Sequence, residues 1–138
     1  MSEKIFDIWN APKSYRYKEE AILNHAPQVP GIYELVTFNE QQDAQVLYVG
    51  WAQDRSVYDA LFDHWNGDKE PKAQELLAKY PNLYFTFIIE ANAENPEDWK
   101  DLFWAMCQAD KPSLQDWKTF THSGRYTAIT AKEKSLLH

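Results

Sequence analysis

Pro30-Gly31-Ile32-Tyr33-Glu34-Leu35 and Val46-Leu47-Tyr48-Val49-Gly50 decide how this chain folds. Each run mixes β-branched, aromatic and leucine side chains, the composition of a pleated and half-buried strand. Pro27 and Pro30 end whatever precedes the first run, so a strand is predicted over 31–38. Asn39-Glu40-Gln41-Gln42-Asp43 is a polar turn, and 46–49 returns as the second strand of an antiparallel hairpin. The hairpin carries a glycine and a tyrosine at its open end in mirrored order, Gly31-Ile32-Tyr33 going in and Tyr48-Val49-Gly50 coming out.

Outward from the hairpin the period changes. Val57, Tyr58, Leu61, Phe62 and Trp65 recur at helical spacing, and Asn66-Gly67-Asp68 stops that helix. A second helix is predicted over 71–79, with Pro71 in its first turn. Residues 83–89 are apolar except for Thr86 and read as a central third strand. Asn95-Pro96-Glu97-Asp98 has the chemistry of a helix start, and Trp99, Leu102, Phe103 and Met106 follow on one stripe. Lys111-Pro112 ends that helix, and 114–120 is expected to add a turn. Before the hairpin, 18–26 reads as a short helix and 4–17 as an irregular aromatic segment wrapped over the core. After it, 126–129 is expected as an edge strand followed by a frayed charged end. The expected architecture is one α+β domain spanning residues 1–138, with a small antiparallel three-stranded sheet flanked by helices.

Charge narrows the function. Fourteen Lys and Arg against 21 Asp and Glu give a net charge of −7, the wrong sign for affinity built on neutralising phosphates. Asp54, Asp59, Asp63, Asp68 and Glu70 face only Arg55 and Lys69 across the first long helix. Electrostatics therefore favour a protein partner over nucleic acid. No run approaches the ~18 apolar residues of a membrane span, and no basic start precedes an apolar stretch, so a cytoplasmic location without membrane contact is expected. Cys107 is the one cysteine and sits in an apolar helical run, where it packs as a small hydrophobe.

The paired tripeptides, with the polar loop between them, the two helices after them, the aromatic strand and the later helix, resemble the GIY-YIG nuclease superfamily from about residue 28 to about 118. The resemblance implies a site where Tyr33 and Tyr48 meet the start of the following helix. In active members a tyrosine or a nearby histidine helps to deprotonate the attacking water. An arginine on the helix neutralises charge on the phosphate, and a glutamate on the later helix binds one divalent metal.

Against that pattern, the arginine position falls near Tyr58 or Ala60, and Arg55 lies several residues early. Asp101 stands where one alignment puts the metal-binding acid, and His64 follows the helix stripe as a candidate base. Trp51, directly after Gly50, is placed to plug a phosphate pocket or anchor a partner, as is Tyr58. Two readings follow. One is a GIY-YIG-like domain without catalysis, acting as a binding or regulatory module through protein contacts and needing no cofactor. The other is a divergent endonuclease in which Tyr33 and Tyr48 position water, Arg55 replaces the missing arginine and Asp101 binds Mg²⁺ or Mn²⁺.

Overall fold

The computed structural model describes residues 2–136. The hairpin forms as the sequence predicts, with β3 (Gly31–Phe38) antiparallel to β4 (Ala44–Ala52). Before it come β1 (Ser2–Asn10), the short β2 (Tyr15–Arg16) and α1 (Glu19–His25). After it come α2 (Val57–Trp65), α3 (Ala73–Lys79), β5 (Leu83–Ala91), α4 (Pro96–Asp110), a 3-10 turn at Trp117–Thr119 and β6 (Tyr126–Leu136). Ser56 Oγ caps α2 by accepting from the Asp59 N–H at 3.0 Å, and Asn95 Oδ1 caps α4 from the Asp98 N–H at 2.9 Å. Lys111, left-handed at φ 50°, ends α4 just before Pro112.

The fold is mixed α+β, but the sheet has six strands and not three. Its order is β4-β3-β5-β1-β6, with β2 pairing β5 beside β1. The expectation for 4–17 is also corrected: residues up to Asn10 form a strand that pairs with β6 along its length and with β5 at Ile8–Asn10, and Tyr15 and Arg16 rejoin the same edge of β5 further down. Phe6 and Ile8 point into the core while Ile5 is 52% exposed, a period-2 pattern that Asp7, Trp9 and Pro12 disguise. Likewise β6 runs on through the charged tail, because it lies parallel to β1 along its length.

Each face of the sheet carries its own core. Tyr17, Ile22, Tyr33, Leu35, Leu61, Leu76 and Phe85 pack under α1, α2 and α3. Phe6, Ile32, Val49, Ile88, Leu102 and Met106 pack under α4 on the other side. A register shift in the hairpin sets the facing of the residues just before the second tripeptide. Leu35 pairs with Tyr48 and Val36 with Val46, leaving Leu47 unpaired. Leu47 and Tyr48 consequently both join the core under α2, while Val46 and Val49 join the core under α4. Such a bulge re-aims one side chain without breaking the sheet.

The two sheet edges are finished differently. Loop residues cover β4: the Ser113 and Leu114 N–H groups donate to the Val46 and Leu47 carbonyls at 3.2 and 2.9 Å. The Gln115 amide completes the cover, accepting from the Val49 N–H and donating to the Val49 carbonyl, both at 2.8 Å. At the other edge β6 carries Lys132 and Lys134, which discourage a further strand from pairing there.

Candidate functional site

Tyr33 sits directly opposite Gly50 in the hairpin register. Its ring lies so close over Gly50 that a Cβ there would overlap the Tyr33 ring and hydroxyl. Only glycine fits, so the glycine of one tripeptide exists for the tyrosine of the other. At the far side of the hairpin's open end, a Cβ on Gly31 would come within 2.6 Å of the Ile88 carbonyl.

From that seat the Tyr33 hydroxyl reaches His64 on α2, at 2.7 Å from Nε2, with both side chains fully buried. His64 Nδ1 lies 3.0 Å from the Pro71 carbonyl. A carbonyl only accepts, so Nδ1 carries the proton; neutral His64 then accepts from the Tyr33 hydroxyl at Nε2. Burial depresses the His64 pKa, and the hydrogen bond to Pro71 opposes it without restoring the ordinary value. Burial likewise pushes the Tyr33 hydroxyl far above the usual tyrosine range. Tyr48 closes the group, its ring centroid 6.3 Å from Tyr33 and 5.2 Å from His64. Three of the residues singled out in the sequence, Tyr33, Tyr48 and His64, therefore form one cluster.

Of these only Tyr48 borders open space, a cavity of about 410 Å³ walled by Pro71, Lys72, Leu76, Lys79 and Tyr80. Lys72 and Lys79 are its cations, and Glu70 and Glu75 its anions. The Tyr33–His64–Pro71 chain stands behind Tyr48 with each hydrogen-bonding atom committed, and it positions α2 against the sheet.

The other candidates go elsewhere. Arg55 is paired with Asp63 in a separate recess and does not line the Tyr48 cavity. Tyr58 packs edge-on against Phe62, at 5.0 Å between ring centroids, both half-buried against the core on the α2 side of the sheet. Asp101 is on α4, whose apolar side packs on the opposite face of the sheet from Tyr33. It is fully buried and accepts from the Ser123 N–H at 2.7 Å, the Ser123 hydroxyl at 2.8 Å and Arg125 at 2.7 Å. Arg125 also donates to Asp98 at 2.9 Å. Burial raises the Asp101 pKa, but the hydrogen bonds from Ser123 and Arg125 outweigh it and hold the carboxyl below its ordinary value. No group of three or more His, Cys, Asp or Glu able to hold a metal occurs among the described residues. The convergence of Arg55 and Asp101 on the tyrosines, which a metal-assisted site on this pattern requires, is not what the fold delivers.

Sequence reasoning passed over Ser123, Arg125 and Asp98. The i, i+3 spacing of Asp98 and Asp101 on α4 was a signal of two carboxylates on one helix side. Nothing local announced that Arg125, more than a turn of chain beyond the helix, returns to meet them. Trp51 lies on the α4 side, stacked on Phe103 at 6.4 Å and 28°, and lines a second cleft away from the tyrosines. Comparison of the chain with protein-family models, curated proteins and solved structures gave no match.

Proposed function

We propose that this chain is a binding or regulatory module on a GIY-YIG-like scaffold, working through contact with another protein and not through phosphodiester hydrolysis. One observation carries the reading: the groups that hydrolysis needs in one place are in three places, each already engaged. Tyr33 is bonded to His64 in the core, Arg55 to Asp63 in its own recess, and Asp101 to Ser123 and Arg125 across the sheet. A transition-state charge is stabilised only by groups aimed at one point, and loss of a single such donor costs ~10²–10³ in rate. The net charge of −7 adds repulsion of any nucleic-acid backbone.

A metal-dependent endonuclease is the second reading. In its favour, Tyr48 shares a cavity with Lys72 and Lys79, which are cations a phosphate can use. Glu70 and Glu75 on the same walls oppose it. Incubation with single-stranded, duplex and branched DNA and with RNA, in Mg²⁺ and in Mn²⁺, separates the two. No cleavage above buffer is the expected result. Cleavage that disappears in Tyr48→Phe and Lys79→Ala overturns the binding-module reading.

A further inference from the structure

A second cleft lies on the side of the hairpin away from the Tyr33–His64 cluster. It encloses about 500 Å³ between the start of β3, the end of β4 and the first turn of α4. Its walls are Trp51, Trp99, Pro30, Pro96, Val29 and Ile89, with Gly31 between them. Val29 is 43% exposed, so part of this apolar lining faces solvent. Phe103 backs Trp51, and Phe120 backs Phe103 at 6.0 Å and 26°, so the Trp51 indole is held by a stacked column. Neither the Trp51 nor the Trp99 indole N–H donates to an acceptor among the described residues, although such donors find partners when they are shut away. The volume is that of a ligand site, which runs ~300–1,000 Å³.

Charge selects the occupant. The one ionisable lining residue of the cleft is Glu94, exposed and in no ion pair among the described residues. Trp51 and Gln53 also line the adjoining recess of about 380 Å³, which makes the two spaces neighbours along one groove. That recess holds Asp54, Asp63 and Asp68 with Arg55 and Lys69. Arg55 occupies Asp63, while Asp54 and Asp68 enter no ion pair among the described residues. Lys69 likewise enters no ion pair among the described residues, but the carboxylates outnumber the cations, so the balance at both ends of the groove is acidic and disfavours an anion. A guanidinium is suited to both, since it stacks on indole and forks onto carboxylates. Grooves walled by aromatic rings and proline also take extended, proline-bearing chain, which arrives with little conformational entropy to lose.

From this geometry we infer that the groove is the docking site for a basic, extended segment of a partner protein. A proline or other apolar residue sits between Trp51 and Trp99, and an arginine reaches Asp54 and Asp68. The inference rests on the binding-module reading and gives it a surface and a partner chemistry.

The probe is an acetylated heptapeptide of alternating arginine and proline, with the same peptide bearing glutamate for arginine, and choline chloride, as comparisons. Calorimetry gives affinity, and the indole N–H signals of Trp51 and Trp99 in a ¹H–¹⁵N spectrum give location. Saturable one-to-one binding of the arginine peptide that moves both indole signals is expected, with the glutamate peptide silent. Trp99→Ala and the surface change Glu94→Lys each weaken it at least about tenfold, a loss typical of an anchor residue. Thermal melts of both variants establish that they are folded, and Glu94→Lys tests the charge argument with the cleft walls intact.

No binding of the arginine peptide overturns the proposal. So does binding equally tight to both folded variants, which is diffuse attraction to an acidic surface. Choline moving the same signals as strongly makes this a small-cation pocket instead, and indole shifts that follow protein concentration alone make it a contact between copies of the chain. A silent peptide together with absent nuclease activity removes this surface and leaves the module reading standing, whereas nuclease activity removes that reading whatever the peptide does.

Discussion

At the scale of single residues, the two tripeptides are one contact seen from both sides. The Tyr33 ring occupies the space where any side chain on Gly50 would stand, and its hydroxyl is spent on His64. Gly50→Ala must push the ring off that seat, and overpacking of this kind costs about 1–3 kcal/mol. Denaturant unfolding should show the loss, and near-ultraviolet circular dichroism should report the displaced tyrosine. Tyr33→Phe keeps the ring but leaves His64 Nε2 buried without its donor, at about 1–3 kcal/mol. Unfolding at equal stability to the parent would show that Nε2 does not depend on this hydroxyl. The sequence made the tripeptides conspicuous, and Tyr33, Tyr48 and His64 do come together. It did not reveal that Leu47 is an extra residue in the ladder, which is what puts Leu47 on the same face as Tyr48 and Val46 on the other. Arg55 and Asp101 were illegible as to role for a different reason. Their partners, Asp63 within α2 and Ser123 and Arg125 far along the chain, were fixed by tertiary packing and not by spacing from the motif.

At the scale of elements, strands with a strong apolar stripe were legible, and those without it were missed, as β1 was, or seen only in their first residues, as β6 was at 126–129. Residues 31–38 and 83–89 announce themselves because apolar side chains cover both of their faces in the middle of the sheet. Among the residues whose burial is described, β1 has only Phe6 and Ile8 buried, and β6 only Ile129, so their periodicity is carried by few residues. What holds them is their pairing, β1 against β5 and β6 against β1, and pairing is invisible to a local reading. The finish of the β4 edge is equally non-local, since Gln115 stands in for a neighbouring strand across Val49. Gln115→Ala should expose one N–H and one carbonyl of β4, lowering stability by about 1–2 kcal/mol. Hydrogen exchange at the Val49 amide should quicken well beyond what that global change accounts for. An unchanged Val49 exchange rate would mean that Ser113 and Leu114 alone cover the edge.

At the scale of the whole molecule, three buried ionisable groups on two sheet faces set how stability answers to pH. His64 has a folded pKa below its ordinary 6.5, because it is buried and uncharged. Its contribution is complete above that value and is lost as pH falls from there through the folded pKa. Asp101 is held below its ordinary 3.8 by Ser123 and Arg125, so its contribution is lost only at still lower pH. Glu34 acts in the opposite sense. Burial first, and then the neighbouring Asp110 carboxyl, raise its pKa well above the ordinary 4.5. Cys107 of α4, itself pushed up to about 12 by burial and by these carboxylates, adds no charge of its own in the physiological range. Glu34 Oε2 is cut off from solvent and meets no N–H or hydroxyl donor, so a proton on this carboxyl, favoured also by the Asp110 carboxyl beside it, spares it an unpaired charge. An acid whose folded pKa lies above its unfolded one binds protons more readily in the folded state, and stability therefore declines as pH rises from 4.5 toward the folded value. Glu34→Gln removes that titration and keeps a donor, its amide N–H, for the Asp110 carboxyl oxygens. The variant should match the parent in the acid range and exceed it increasingly as pH rises, reaching a constant margin once the parent's Glu34 has ionised. Chemical denaturation of both proteins from pH 4 to pH 9 measures the margin directly. A difference that does not vary with pH would place the Glu34 carboxyl in solvent contact and sink the account of a protonated Glu34.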